Sequence, residues 1–221
     1  MRAHRTVTVV LVLLCAWLLA PQTALSRAAV EVRGGDRIYS DRGGRCTVGF
    51  NARGGEHLYA LVSGHCVQGA ATWFADPALT VPIAETGKVS FPGDDFAVLR
   101  YTNTSVSYPG EVSLGPAGVR DITGAAAPSV GQGVCRTGGA TGYRCGTVRS
   151  LNVTVSYPEG TVYGLFQATL CADPGDGHGP AFSGTKALGL AAGASGNCAS
   201  GGSSFYQPVT EALSAHGLTL Y

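Results

Sequence analysis

Hydrophobic positions along most of this chain fall in short alternating or apolar runs. They lie at 46–51, 58–63, 71–75, 80–84 and 96–101, separated by turn formers such as Arg53-Gly54-Gly55. A period of two over so few residues predicts strands, and the five runs predict one antiparallel β-barrel. A second set at 134–136, 146–157, 161–170, 186–192 and 204–206 predicts another barrel of similar size, with no convincing repeat between the halves. Between them, 102–128 is rich in Gly, Pro, Ser and Ala, the composition of a connection over the surface. The expected organisation is a first barrel over 34–110, a connecting segment over 111–128 and a second barrel over 129–221. At 208–216, Pro208 suits a first helical turn, Val209, Ala212 and Leu213 share a face, and Gly217 is a stop, which predicts one short C-terminal helix.

Composition agrees with an all-β fold. Only 13% of the 221 residues are charged while 33 are glycine, which suits many short strands and tight turns better than a helical bundle. A formal charge of +1 without basic runs gives no electrostatic reason to expect nucleic acid or a membrane surface as partner. At the N-terminus, Arg2, His4 and Arg5 precede an apolar run over 7–20, and Ala24-Leu25-Ser26 offers small residues for cleavage. This predicts a signal peptide over 1–26 and an extracellular, secreted product. The run is shorter than the roughly 20 residues that a membrane-spanning helix needs. Removing it takes away Cys15 and leaves Cys46, Cys66, Cys135, Cys145, Cys171 and Cys198, an even set that predicts three disulfides in an oxidising compartment. Spacing alone does not choose their connectivity, and no pair has the close spacing of a zinc site.

Three segments carry candidate chemistry: Leu61-Val62-Ser63-Gly64-His65-Cys66, Phe91-Pro92-Gly93-Asp94-Asp95-Phe96-Ala97-Val98, and Cys171-Ala172-Asp173-Pro174-Gly175-Asp176-Gly177-His178-Gly179-Pro180. In this order they resemble the histidine, aspartate and nucleophile segments of chymotrypsin-like serine proteases (peptidase S1). The stretch Gly34-Gly35-Asp36-Arg37-Ile38-Tyr39-Ser40 is similar to the mature start of the streptogrisins, which places the resemblance in the streptogrisin and alpha-lytic branch and extends it over 34–221. Only 27–33 separates this start from the leader, so no room for a folding pro-region is expected.

The resemblance implies two six-stranded antiparallel barrels packed face to face, a trypsin-like fold, with the cleft between them. It makes His65 the base, Asp95 rather than Asp94 the orienting acid, and the N–H groups of Gly175 and Gly177 the oxyanion donors. It pairs Asp176 with Arg136 in a buried ion pair, since a lone buried carboxylate would be too costly to keep charged. It pairs Cys46 with Cys66, Cys135 with Cys145 and Cys171 with Cys198. It assigns Ala192, Gly193 and Ala194 to the peptide groove. The implied partner is a peptide or protein in the cleft, with no cofactor, no metal and a monomeric state.

The departures decide what activity to expect. Gly177 stands at the position of the nucleophilic serine, and His178 replaces a glycine in a tight loop where positive φ would be costly to other residues. Ala192 replaces a serine that bonds the catalytic aspartate, Ala194 replaces a groove glycine, and Val62 a threonine. Ser183 lies six positions beyond Gly177 on the strand leaving the loop, and Ser195 belongs to the groove wall, so neither substitutes. Losing the serine of such a triad costs roughly 10⁶ in turnover, with roughly 10³ to 10⁴ over water left. The expected protein is therefore a secreted serine endopeptidase homologue, impaired or inactive as a hydrolase, that keeps peptide binding. Its rivals are a slow endopeptidase using water activated by His65 and Asp95, and a scaffold without cleft function. For His178 two roles stand open: filling the space left by the hydroxymethyl group, or holding a metal with His65, the first preferred because the ligand set is poor. Asn103-Thr104-Ser105 and Asn152-Val153-Thr154 match glycosylation patterns but read as strand-edge residues.

Overall fold

A computed structural model describes residues 30–221; the expected signal peptide and Cys15 lie outside the described residues. The first barrel is built from β1 (Arg37–Ser40), β2 (Arg45–Thr47), β3 (Phe50–Gly54), β4 (His57–Val62), β5 (Thr72–Phe74), β6 (Pro82–Ser90) and β7 (Phe96–Tyr101). Antiparallel pairing runs β2-β1-β5-β6-β7-β4-β3, and the covalent run from β2 through Val48 and Gly49 into β3 completes the circuit. Counted that way, the bent segment 45–54 is one strand and the barrel has six.

The linker differs from the plain connection expected, because β8 (Glu111–Ser113) and β9 (Val119–Asp121) form a hairpin inside it. Val112, Leu114 and Ile122 are buried there, so the stretch covers apolar surface between the barrels as well as crossing it. β10 (Gly124–Ala125) then joins the second sheet in parallel with a later strand. That sheet contains β11 (Gly133–Arg136), β12 (Arg144–Tyr157), β13 (Gly160–Ala168), β14 (Ala181–Ser183), β15 (Lys186–Asn197) and β16 (Gly201–Pro208). Pairing runs β15-β14-β11-β12-β13-β16, and β16 pairs back onto β15, closing six strands. α1 (Val209–His216) ends on Gly217 in the left-handed conformation, φ +61°, where glycine carries no Cβ penalty. β17 (Thr219–Leu220) leaves the second barrel and pairs with β3 of the first.

Alternation sorts side chains to two destinations. Along β7, Ala97, Leu99 and Tyr101 point into the first barrel with Trp73 and Ile83, while Phe96 and Val98 join a core shared with Phe182, Leu190, Val209 and Ala212. Both faces are covered, so β7 reads as an almost continuous apolar run. The chain entering β7 is thereby fixed at the junction of the barrels. All three disulfides implied by the resemblance are present: Cys46–Cys66, Cys135–Cys145 and Cys171–Cys198.

Candidate active site in the inter-barrel cleft

His65 sits in a single turn, Gly64–Cys66, at the end of β4, next to the Cys46–Cys66 bridge. Gly64 is forced there: a Cβ would lie 2.8 Å from the carbonyl oxygen of Ser90. Asp95 immediately precedes β7 and is fully buried. Its Oδ1 accepts the backbone N–H of His65 at 2.8 Å and its Oδ2 lies 2.7 Å from His65 Nδ1. One residue thus supplies both donors that the carboxylate receives. Asp94 turns elsewhere, accepting from Ser90 Oγ at 2.9 Å.

Three residues that the sequence reading did not assign hold this pair in place. Gln207 Oε1, from the end of β16, accepts the Asp95 N–H at 2.9 Å. Ser63 Oγ donates to the carbonyl of Ala191 at 2.7 Å, tying β4 to β15. Tyr157 donates its hydroxyl to the carbonyl of Ala192 at 3.0 Å, and burial together with the negative charge of Asp95 pushes its pKa up to about 12. Gln207 directly precedes the helix signal at Pro208, but like Tyr157 and Ser63 it is a common residue type with no local signal of its own.

The loop between β13 and β14 brings the third segment to the cleft. Asp176 is buried and paired with Arg136 at 2.7 Å, as expected. Burial alone would raise its pKa, but the N–H of Asp173, the Arg136 guanidinium, and the N–H and hydroxyl of Thr141 outweigh it and hold the carboxyl below the usual range. Arg136 also donates to the carbonyl of Cys171 at 2.5 Å, so the ion pair braces the base of the loop. Positive φ falls on Gly175 (+97°) and Gly177 (+70°), and His178 takes an ordinary negative φ, so the strain expected from replacing a glycine is avoided. Neither the Gly175 nor the Gly177 N–H donates to a backbone acceptor among the described residues.

The imidazole of His178 stands next to that of His65. Its Nε2 lies 2.9 Å from His65 Nε2, with the two rings edge to face at 4.4 Å between centroids. Burial first, and the neighbouring His65 second, lower its pKa to about 4 against a smaller opposing pull from Asp95, so the ring is neutral near pH 7. Among the described residues no cluster of three metal-ligating side chains occurs.

Ala192, Gly193 and Ala194 lie on β15, which pairs with β16 on one edge throughout 189–197, whereas β14 reaches only Gly189 on the other. Beyond Gly189 that second edge has no strand partner among the described residues. A cavity of about 270 Å³ lies between the 172–179 loop and this strand, lined by Ala172, Gly177, His178, Ala191, Gly193 and Ala194 among others. A second, of about 220 Å³, is walled by His65, Phe91, Tyr157 and Ala192. The second touches His65 directly, and the first is lined by His178, the ring that contacts His65.

No protein-family model matches the chain. It is 44% identical over 190 residues to streptogrisin-A of Streptomyces griseus, covering 86% of this chain and 61% of that protein. It is 44% identical over 173 residues to serine protease 2 of Streptomyces fradiae, covering 77% of this chain and 99% of that one. Among solved structures, alpha-lytic protease homolog N4 superposes with a TM-score of 0.81 at 54% identity, over 87% of this chain and all of that one. By sequence and by fold, the chain belongs to the chymotrypsin-like S1 serine protease family, in its streptogrisin and alpha-lytic branch.

Proposed function

We propose that this protein is a secreted S1 protease homologue, impaired or inactive as a peptidase, whose cleft binds an extended peptide segment. The observation that carries the reading is local. At the nucleophile position Gly177 offers no side chain, and the hydrogen-bonding place beside His65 Nε2 is filled by His178 at 2.9 Å. His65 and Asp95 are the proposed remnant of the triad, Gly175 and Gly177 the proposed oxyanion donors, and Asp176 with Arg136 the brace of the loop. The open edge of β15 at 192–194 supports binding by strand addition, in which main-chain hydrogen bonds supply affinity and side pockets supply selectivity. Three disulfides and the N-terminal leader pattern support export.

A fluorophosphonate probe is expected to leave the protein unlabelled, and peptide anilides to go uncleaved. Labelling in the cleft, or peptidase activity abolished by His65→Ala, would contradict the reading. Binding of an extended-peptide library should disappear in Ala194→Trp, which fills the 270 Å³ cavity. The rival, water activated by His65, has His178 standing where that water would donate its hydrogen bond to His65 Nε2, which counts against it.

A further inference from the structure

Asp95 sets the proton positions of both imidazoles. A carboxylate only accepts, so at 2.7 Å from Asp95 Oδ2 the His65 Nδ1 carries its hydrogen, and in the neutral ring His65 Nε2 presents a lone pair. The atom 2.9 Å from that lone pair is His178 Nε2, which therefore donates. Neutral His178 then keeps its own lone pair on Nδ1. That nitrogen makes no hydrogen bond among the described residues, and it is not one of the buried side-chain atoms left without a partner. The ring lines the 270 Å³ cavity and a second one on the far side of the loop beside Arg37, Arg45 and Thr47.

Asp95, His65 and His178 thus form a relay in which an N–H stands where the family places an O–H. An imidazole that loses its N–H proton as its other nitrogen attacks becomes a far stronger nucleophile, and histidine is among the side chains that form covalent acyl intermediates. We propose that His178 is a catalytic nucleophile for activated carboxylic esters, aryl esters in the first place. This rests on the reading of the cleft as a family site whose serine is replaced.

In the first half, His178 Nδ1 forms a bond to the ester carbonyl carbon and the carbonyl π pair moves to oxygen. The Nε2 hydrogen passes to His65 Nε2, whose positive charge Asp95 stabilises. Collapse breaks the carbon–oxygen bond to the aryl group, which leaves as phenoxide, and an acyl-imidazole remains on His178 while His65 keeps the proton. In the second half, a water oxygen adds to the acyl carbon and one water proton passes through solvent to the released phenoxide. The carbon–nitrogen bond then breaks as His65 returns its proton to His178 Nε2, so one ester and one water become one acid and one phenol. The N–H groups of Gly175 and Gly177, free of backbone acceptors, are the donors available to the transient oxyanion. Esters are selected over peptides by leaving-group chemistry. A phenoxide is expelled more readily than imidazole, whereas an amine is not, so the adduct formed from a peptide reverts to starting material.

The test uses p-nitrophenyl pivalate, whose crowded acyl group slows the second half, with the mature chain and with His178→Gln, which keeps an N–H for His65. Wild type is expected to release nitrophenol in a burst and to carry one pivaloyl group, found on His178 by peptide mapping after acid quench. In His178→Gln, at unchanged thermal stability, the burst should vanish and turnover fall roughly tenfold or more, to the background of exposed His57. Equal rates in the two proteins would overturn the proposal, as would wild-type turnover no faster than that background, or an adduct found elsewhere. Fluorophosphonate labelling or peptidase activity bears on the preceding reading instead, so the two fail independently.

Discussion

At the scale of single residues, Gly177 and its neighbour His178 shape the nucleophile loop together. Gly177 does more than lack a hydroxyl. Its φ of +70° is one that side-chain-bearing residues rarely adopt, and a Cβ there would lie 2.7 Å from Thr47 Oγ1. Gly177→Ser alone is therefore expected to be strained and, with His178 still bonded to His65, to leave peptidase activity undetectable. Gly177→Ser with His178→Gly frees the next residue to take up the positive φ and clears the space beside His65. That double variant should react with a fluorophosphonate and gain peptide-anilide hydrolysis by several orders of magnitude. If the single variant is as active as the double, His178 does not block the site in the way described. Motif order made His65, Asp95 and the 171–180 loop legible in the sequence. The position of His178 was not, because its contact with His65 joins residues 113 positions apart and depends on which glycines absorb the turn.

At the scale of the element, the 171–180 loop is held by two buried titratable groups whose pH windows do not overlap. Asp176 is held below its ordinary 3.8, so the stability it contributes is present above that value and lost as pH falls beneath it. His178 is lowered from 6.5 to about 4, and here the unfolded chain takes up the proton first. Its cost to the folded state is absent above pH 6.5 and grows as pH drops towards 4, reaching on the order of 3 kcal/mol at most. Thermal unfolding of His178→Gln should consequently fall less steeply than wild type between about pH 7 and pH 4.5. Parallel curves would show that the imidazole is not desolvated. Element by element, strands with a clear apolar run, such as Phe96–Tyr101, stand where the pattern puts them, and the helix follows its Pro and Gly signals. Strands β1, β14 and β17 escape the pattern because two to four residues carry no period, and their pairing is set by distant partners. The hairpin at 111–121 was hidden by a turn-rich composition that hairpins and plain connections share.

At the scale of the whole molecule, the two barrels share one core and each closes over part of the other. Phe50, Leu61, Phe96 and Val98 from the first pack with Phe182, Leu190, Val209 and Ala212 from the second. The C-terminal segment crosses over: Leu218 enters the same cluster, β17 pairs with β3, and the Tyr221 hydroxyl donates to the carbonyl of Tyr108 at 2.5 Å. Cleft geometry is laid across this junction, since the Asp95 N–H and the Ser63 hydroxyl both reach acceptors on the opposite barrel. A perturbation at the crossover should therefore weaken both halves at once. Leu218→Ala removes apolar volume from the shared cluster, and core truncations of this kind cost about 2 to 5 kcal/mol. Unfolding can be followed in the first barrel by Trp73 fluorescence and in the second by hydrogen-exchange protection of β12 and β13. Both transitions are expected to move to lower denaturant together and to remain superimposed. Separation of the two, with only the Trp73 signal shifted, would mean that the barrels fold as independent units and that the shared core does not couple them.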